Sequence, residues 1–217
     1  IKGVYGMNRG FFITFEGTEG SGKSTQIKML CERLRQDGLD VLLTREPGGC
    51  ELAEKVRKLL LEGRSEISPL AELMLFEGAR AQHVNEIISP ALKKGKIVIC
   101  DRFTHSTIAY QGYARGLNIG LVQSLNEIAV QGCHPDLTIF LHIEPGLSFE
   151  RKGGMDEEDR MEMQGMAFHQ EVYRGFEEMA GQNDNFVMLD VAGCTKQQTS
   201  ETVYQICLLY TSPSPRD

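Results

Sequence analysis

The sequence predicts an α/β fold: a five-stranded parallel sheet with helices on both faces. Three observations predict it. Apolar runs of strand length alternate with stretches of helical periodicity. Several runs are near-continuous in apolar residues, as expected of strands buried on both faces. A glycine-rich turn, Gly17-Thr18-Glu19-Gly20-Ser21-Gly22-Lys23-Ser24, joins the first run to the first helix.

Phe11-Phe12-Ile13-Thr14-Phe15 is the first strand. Ser24 and Thr25 open a helix whose apolar face is Ile27, Leu30, Cys31 and Leu34, ended by Gly38. Val41-Leu42-Leu43-Thr44 is the second strand and runs into the turn Arg45-Glu46-Pro47-Gly48-Gly49. Leu52, Val56, Leu59 and Leu60 mark a helix that closes at Gly63. Ser68 and Pro69 have the chemistry of a helix cap and first residue. They start a long helix through Leu73, Phe76, Arg80 and Val84, which Ser89-Pro90 breaks and restarts as a short helix stopping at Gly95. Lys96-Ile97-Val98-Ile99-Cys100 is the third strand and ends in Asp101-Arg102. Ser106 to Tyr113 is helix-forming, and Leu121, Leu125, Ile128 and Ala129 mark a further helix. Leu137 to Ile143 is the fourth strand and Phe186 to Val191 the fifth. Between them, a short helical piece and a glycine- and charge-rich loop lead to a helix from about Asp159 to Met179. The final helix carries Val203, Ile206 and Cys207.

With 217 residues, 41% of them hydrophobic, the chain can bury the core of one α/β domain. No linker or repeat divides it. Residues 7–207 are read as a single domain with a mobile lid near residues 150–160. Ile1–Gly6 precede Met7, and Leu208–Asp217 break the pattern of the last helix, so both ends read as non-native tails. Lys and Arg number 23 against 30 Asp and Glu, a net charge of −7. That balance argues against nucleic acid or a membrane surface as partner. An anionic ligand must instead be held by local cations. Six cysteines without a C-x-x-C pair suggest neither zinc nor a redox motif. Their apolar surroundings fit buried thiols in a reducing cytoplasm. No apolar run is long enough to span a membrane, and no signal peptide is visible.

The glycine-rich turn fits G-x-x-x-x-G-K-[ST], the phosphate-binding loop, with a strand before it and a helix after it. Its backbone N–H groups and the helix N-terminus point at phosphate oxygens. Lys23 would reach the outer phosphates, and the Ser24 hydroxyl would hold Mg²⁺. Because ligands in such sheets bind beyond the carboxyl ends of the strands, this loop, Arg45 and Asp101-Arg102 should gather at one edge. Asp101 can accept from Ser24 or reach Mg²⁺ through water. Arg102 can neutralise charge during transfer. Taken alone, the pair is equally a salt bridge at a strand end. Phe76 and Arg80 stand four apart on one helix face and could stack on a base and hydrogen-bond its carbonyl. Taken alone, they read first as a core ring and a surface cation. Arg151 to Arg160 could form a cationic flap, or a solvated loop rich in Asp and Glu.

The chain resembles the bacterial type of thymidylate kinase from about Phe11 to Cys207. The matching stretches are Phe15–Ser24, Thr44–Gly49, Leu75–Arg80, Asp101-Arg102-Phe103, Ser106–Gly112 and Asp159-Arg160. The loop alone is shared by many families, but the set in this order is specific. The resemblance implies the P-loop nucleoside monophosphate kinase fold and transfer from ATP to dTMP with Mg²⁺, in a homodimer. It implies that residues Gly17 to Thr25 bind ATP, with Ser24 and Asp101 at the metal. Glu19 would face the acceptor's 3′-hydroxyl, and Arg45 and Arg102 its phosphate. Phe76 would stack on thymine, and Arg80 would reach its carbonyl edge. Ser106 or Thr107 and Gln111 would complete recognition, with Tyr110 beside the deoxyribose. The loop holds Ser21 where a further arginine would otherwise help. The catalytic cations are then Lys23, Arg102 and one or both of Arg151 and Arg160. Other small kinases fit less well: no proline interrupts the loop as in adenylate kinases, and Asp101-Arg102 stands where deoxynucleoside kinases carry Glu-Arg. No N-K-x-D is present to read guanine as in a GTPase-like switch.

Overall fold

The five apolar runs pair into one parallel sheet. The structure, a computed structural model, describes residues 9–62, 66–154 and 159–211. The strands are β1 (Phe11–Glu16), β2 (Val41–Arg45), β3 (Ile97–Asp101), β4 (Leu137–His142) and β5 (Phe186–Asp190), in the order β2-β3-β1-β4-β5. The helices are α1 (Lys23–Gln36), α2 (Glu51–Leu61), α3 (Pro69–His83), α4 (Ser89–Lys93), α5 (Thr104–Thr107), α6 (Ile119–Val130), α7 (Pro145–Lys152), α8 (Met166–Ala180) and α9 (Lys196–Thr211).

Strand alternation builds both halves of the core. Phe11, Ile13 and Phe15 face α1 and α9 in one apolar cluster, while Phe12 joins Val84, Ile88, Leu92 and Phe103 on the other face. Each fully buried ring contributes roughly 1.5–3 kcal/mol. Thr14 in the central strand is also buried, and its hydroxyl is satisfied by Thr138 of β4 at 2.8 Å. The register matters most for function. Arg45 of β2, Asp101 of β3 and Phe15 of β1 lie in one row. The residues just beyond them therefore emerge side by side at the carboxyl edge.

Four expectations need correction. Ser89-Pro90 does not break the long helix. A π-helical turn, Val84–Ile88, joins α3 to α4, and the Ser89 N–H bonds the Val84 carbonyl five residues back. The wider turn accommodates a residue that can donate no hydrogen bond of its own. The stretch from Ser106 to Tyr113 is not one α-helix: α5 gives way to a π-helix, Ile108–Ala114. The helix expected from Asp159 starts only at Met166, because Asp159 Oδ1 accepts from Met161 and Glu162 N–H and makes a turn instead. The last helix continues past Cys207 to Thr211. Gly63, the centre of the expected lid (155–158) and residues 1–8 and 212–217 lie outside the described residues. The readings that fall on them lie outside as well. Among the described residues, no helix is long and apolar enough to cross a membrane.

Candidate active site

The turn from β1 into α1 is a cradle. Gly22 caps α1 in the left-handed conformation with φ 93°, a geometry glycine adopts without strain. Gly20 has φ 77°, and an added Cβ would lie 2.1 Å from the Ser148 carbonyl oxygen. The loop is thus pressed against α7, whose Ser148 hydroxyl donates to the Glu19 carbonyl and lies 3.2 Å from Thr18 Oγ1. Lys23 is buried and donates to the Gly17 and Thr18 carbonyls at 2.9 and 3.1 Å. Ser21 Oγ is buried in the loop with no partner among the described residues.

A cavity of about 380 Å³ opens beyond this loop. The predicted residues Glu19, Lys23, Ser24, Arg45, Phe76, Arg80, Asp101, Arg102, Ser106, Thr107, Tyr110 and Gln111 all line it. Gly17, Thr18, Gly20, Ser21, Gly22 and Thr25 build the loop itself rather than the cavity wall.

Arg102 holds an unusual backbone, with φ 67°. Such a conformation costs about 1–3 kcal/mol and needs support from its surroundings. Its N–H donates to the Phe15 carbonyl at 2.9 Å. The buried carboxylate of Glu16 takes the next donors: Phe103 N–H at 2.9 Å, Ser106 N–H at 3.2 Å and Ser106 Oγ at 2.6 Å. The Arg102 guanidinium then reaches Ser106 Oγ at 3.2 Å, pairs with Glu19 and lies 5.3 Å over the Tyr110 ring.

The charges in the cavity are crowded. Burial, then the nearby Arg102, lowers the Lys23 pKa. Burial, then Arg45, lowers that of Arg57. For Glu19, burial opposes the charge, but Lys23 and Arg102 outweigh it and hold the carboxyl well below its usual range. Cations that disfavour one another in a cleft are a receptor for a polyanion. Arg80 is different. It is buried, and its guanidinium donates to Glu46 at 2.8 Å, Glu77 at 3.0 Å, Asn126 at 2.5 Å and Thr107 Oγ1 at 2.9 Å. Two carboxylates neutralise it, so it can act as an oriented hydrogen-bond donor rather than as a net charge. Tyr110 is kept a neutral phenol, pushed up to about 12 by burial.

Two predicted cations do not reach the cavity. Arg151 donates to the Val191 carbonyl at 3.1 Å and to that of Ala192, beside the end of β5. Arg160 donates to the Leu60 carbonyl at 2.7 Å and pairs with Glu72. Neither lines the cavity, because each guanidinium has found acceptors elsewhere. Lys152 is paired with Glu162.

Arg57, Glu46 and Glu16 were not singled out from the sequence. Arg57 lines the cavity and anchors on the Pro47 carbonyl at 3.0 Å. Nothing local sets it apart from Lys55 and Lys58 around it. Glu46 bridges Arg80 and the buried His83; its place beside Arg45 at a strand end was the available signal. Glu16 had the same signal, one residue before the glycine-rich turn.

The donor set suits a hard divalent cation. Asp101 Oδ1 is buried with no hydrogen-bond partner among the described residues, and both Asp101 and Ser24 line the cavity. An oxygen left unpaired at that depth is expected to meet a cation or its water.

Fold and cavity together define a nucleotide-binding protein of the phosphate-binding-loop class. The thymidylate kinase family model matches residues 15–203. A thymidylate kinase of Halothermothrix orenii is 46% identical over 199 residues, covering 90% of this chain and 95% of its own. One from Synechococcus sp. strain JA-3-3Ab is 44% identical over 209 residues, covering 94% of this chain and all of its own. The crystal structure of thymidylate kinase from Ehrlichia chaffeensis superposes with a TM-score of 0.76 at 34% identity, covering 92% of this chain and 98% of that one. The chain belongs to the thymidylate kinase family.

Glu16 makes the site's pH dependence testable. Burial raises its pKa from 4.5 to about 7, against the smaller opposing effects of Ser106, Arg102 and Phe103. The folded protein then binds this proton more tightly than the unfolded chain. The stability it contributes is complete below pH 4.5 and lost as pH rises through about 7. Glu16→Gln does not titrate. The wild-type denaturation midpoint minus that of Glu16→Gln should therefore fall across this window, and a constant difference would contradict the assignment.

Proposed function

We propose that this protein transfers the γ-phosphoryl group of ATP to dTMP, giving ADP and dTDP for dTTP synthesis. One observation carries the reading: the phosphate loop shares a single cavity with Arg45, Arg102, Phe76 and Arg80. A donor cradle and an acceptor pocket thus face each other. The names of the relatives support dTMP as acceptor.

The loop N–H groups and Lys23 take the donor phosphates. Lys23 exchanges its two carbonyl partners for phosphate oxygens. Ser24 and Asp101 would hold Mg²⁺, directly or through water, and the ion would neutralise phosphate charge when bound. Arg45, Arg57 and Arg102 fix the acceptor phosphate in line with the donor. Arg102 also faces charge that develops during transfer. Glu19 stays ionised between Lys23 and Arg102 and can accept from the sugar 3′-hydroxyl. Phe76 stacks on the base, Arg80 donates to its carbonyl edge, Thr107 and Gln111 border it, and Tyr110 walls the sugar. The transfer cations are Lys23 and Arg102; Arg151 and Arg160 serve the frame around the site.

A homodimer belongs to this proposal. Leu52 and Leu59 of α2, Leu70 and Met74 of α3, and Leu121 and Ile128 of α6 are exposed. Leu52, Leu59, Leu121 and Ile128 fall within the apolar periodicity of their helices, yet these helices turn them outward. Because α2 packs on α3 and α3 on α6, the six residues lie on adjoining helices. Exposed apolar area of this kind suits a self-association surface. Six cysteines, all free, four of them buried, support a cytoplasmic setting.

In a coupled assay of ADP release, dTMP should give the highest kcat/KM among nucleoside monophosphates; a preference for AMP, GMP or CMP would refute the assignment. Lys23→Ala should lower kcat by about 10²–10³, and near-normal turnover would exclude its role. Leu59→Glu with Ile128→Glu should convert a dimer to a monomer in sedimentation velocity. A wild type that sediments as a monomer, or a variant that remains a dimer, would reject this surface.

A further inference from the structure

A completely buried carboxylate, Glu72 of α3, stands outside every role assigned so far. Its Oε1 accepts from Gln111 Nε2 at 2.8 Å and Arg115 Nε at 3.2 Å. Its Oε2 accepts from Arg115 Nη2 at 3.2 Å and from Arg160. Burial alone would favour the neutral acid, but the hydrogen bonds from Gln111, Arg115 and Arg160 outweigh it and keep the pKa below its ordinary value. An ionised carboxylate can only accept.

That constraint decides which way Gln111 points. Turning the amide over would set Gln111 Oε1 against a carboxylate oxygen, two acceptors at hydrogen-bond distance. The –NH₂ group must therefore face Glu72, and the carbonyl oxygen must face away. Among the described residues Gln111 Oε1 has no hydrogen-bond partner, yet it is not one of the buried orphan atoms. Gln111 itself lines the cavity beside Phe76 and Thr107. The atom is therefore reachable from the cavity.

We infer that Glu72 is a positioning residue for base selection: by binding the Gln111 N–H group it aims Gln111 Oε1 into the cavity, as an acceptor for a ring N–H. The inference rests on the reading of dTMP as the acceptor. A thymine or uracil ring offers an imide N–H at N3. Cytosine offers a lone pair there, and two acceptors would meet. A site that presents an acceptor without its donor loses a hydrogen bond and leaves a desolvated oxygen, which is a strong basis for rejection. Glu72 touches no substrate in this scheme; it acts through Gln111.

The test compares kcat/KM for dTMP and dCMP in wild type, Glu72→Gln and Arg115→Gln. A glutamine at position 72 can offer its own –NH₂ to Gln111 Oε1 and so lets the Gln111 amide turn. Glu72→Gln should lower the dTMP-to-dCMP ratio by about tenfold or more, chiefly through a lower KM for dCMP. Arg115→Gln removes a cation from the same carboxylate but leaves the acceptor in place, so its ratio should stay at the wild-type value. An unchanged ratio in Glu72→Gln, or an equal fall in Arg115→Gln, overturns the inference. A wild type without preference for dTMP over dCMP instead overturns the proposed substrate. Should Glu72→Gln not fold, wild-type protein supplies the readout. One Gln111 side-chain amide proton should exchange slowly without substrate, because Glu72 holds it in a buried hydrogen bond. Fast exchange of both protons would mean that the –NH₂ group faces the cavity, and the inference would fall.

Discussion

The site depends on keeping cations charged where there is little water. A buried guanidinium is tolerated only when carboxylates and hydrogen bonds compensate its lost hydration. Arg80 has Glu46 and Glu77, Arg102 has Glu19 and Arg160 has Glu72. This resolves an apparent contradiction in the sequence. A chain of net charge −7 can bind polyanions because many of its acids stand behind its arginines. Those acids also hold each fork in one orientation, which a phosphate or a planar base requires of its receptor.

The same rule separates the arginines that face the cavity from those that do not. Arg102 sits on a backbone fixed by Phe15 and Glu16, so its guanidinium is delivered to the cavity by the strand end itself. Arg151 lies near the end of α7 and Arg160 in the turn before α8, and nearby acceptors take them up.

Much of this was legible in the sequence, for identifiable reasons. The phosphate loop is local: strand, glycines, Lys23 and helix are contiguous, and its geometry follows from residue type. The gathering of Arg45 and Asp101-Arg102 followed from parallel strand order, which chain topology dictates. Phe76 and Arg80 followed from helical spacing. What could not be read were partnerships between side chains far apart in sequence. Arg160 and Glu72 are 88 residues apart, and Arg102 and Glu19 are 83 apart. Arg57 was hidden because its surroundings are those of an ordinary amphipathic helix. The helix break expected at Ser89-Pro90 failed because a π turn can absorb a proline that an α-helix cannot.

That π turn also explains how one helical rod serves both the cavity and the core. Glu72, Phe76, Arg80, Val84, Ile88 and Leu92 recur every four residues, and all six are buried or half-buried. In a straight α-helix a step of four over-rotates by about 40°, so such a row would wind away from the sheet. The turn from Val84 to Ile88 bonds five residues back and under-rotates instead, which offsets part of that drift. The first half of the row is polar or aromatic, and its Phe76 and Arg80 line the cavity. The second half is aliphatic and packs against Phe12, Val98 and Cys100 of the sheet. The aliphatic half anchors the rod. The polar half can therefore hold Arg80 at the cavity wall, and Glu72 behind Gln111, without support from ligand.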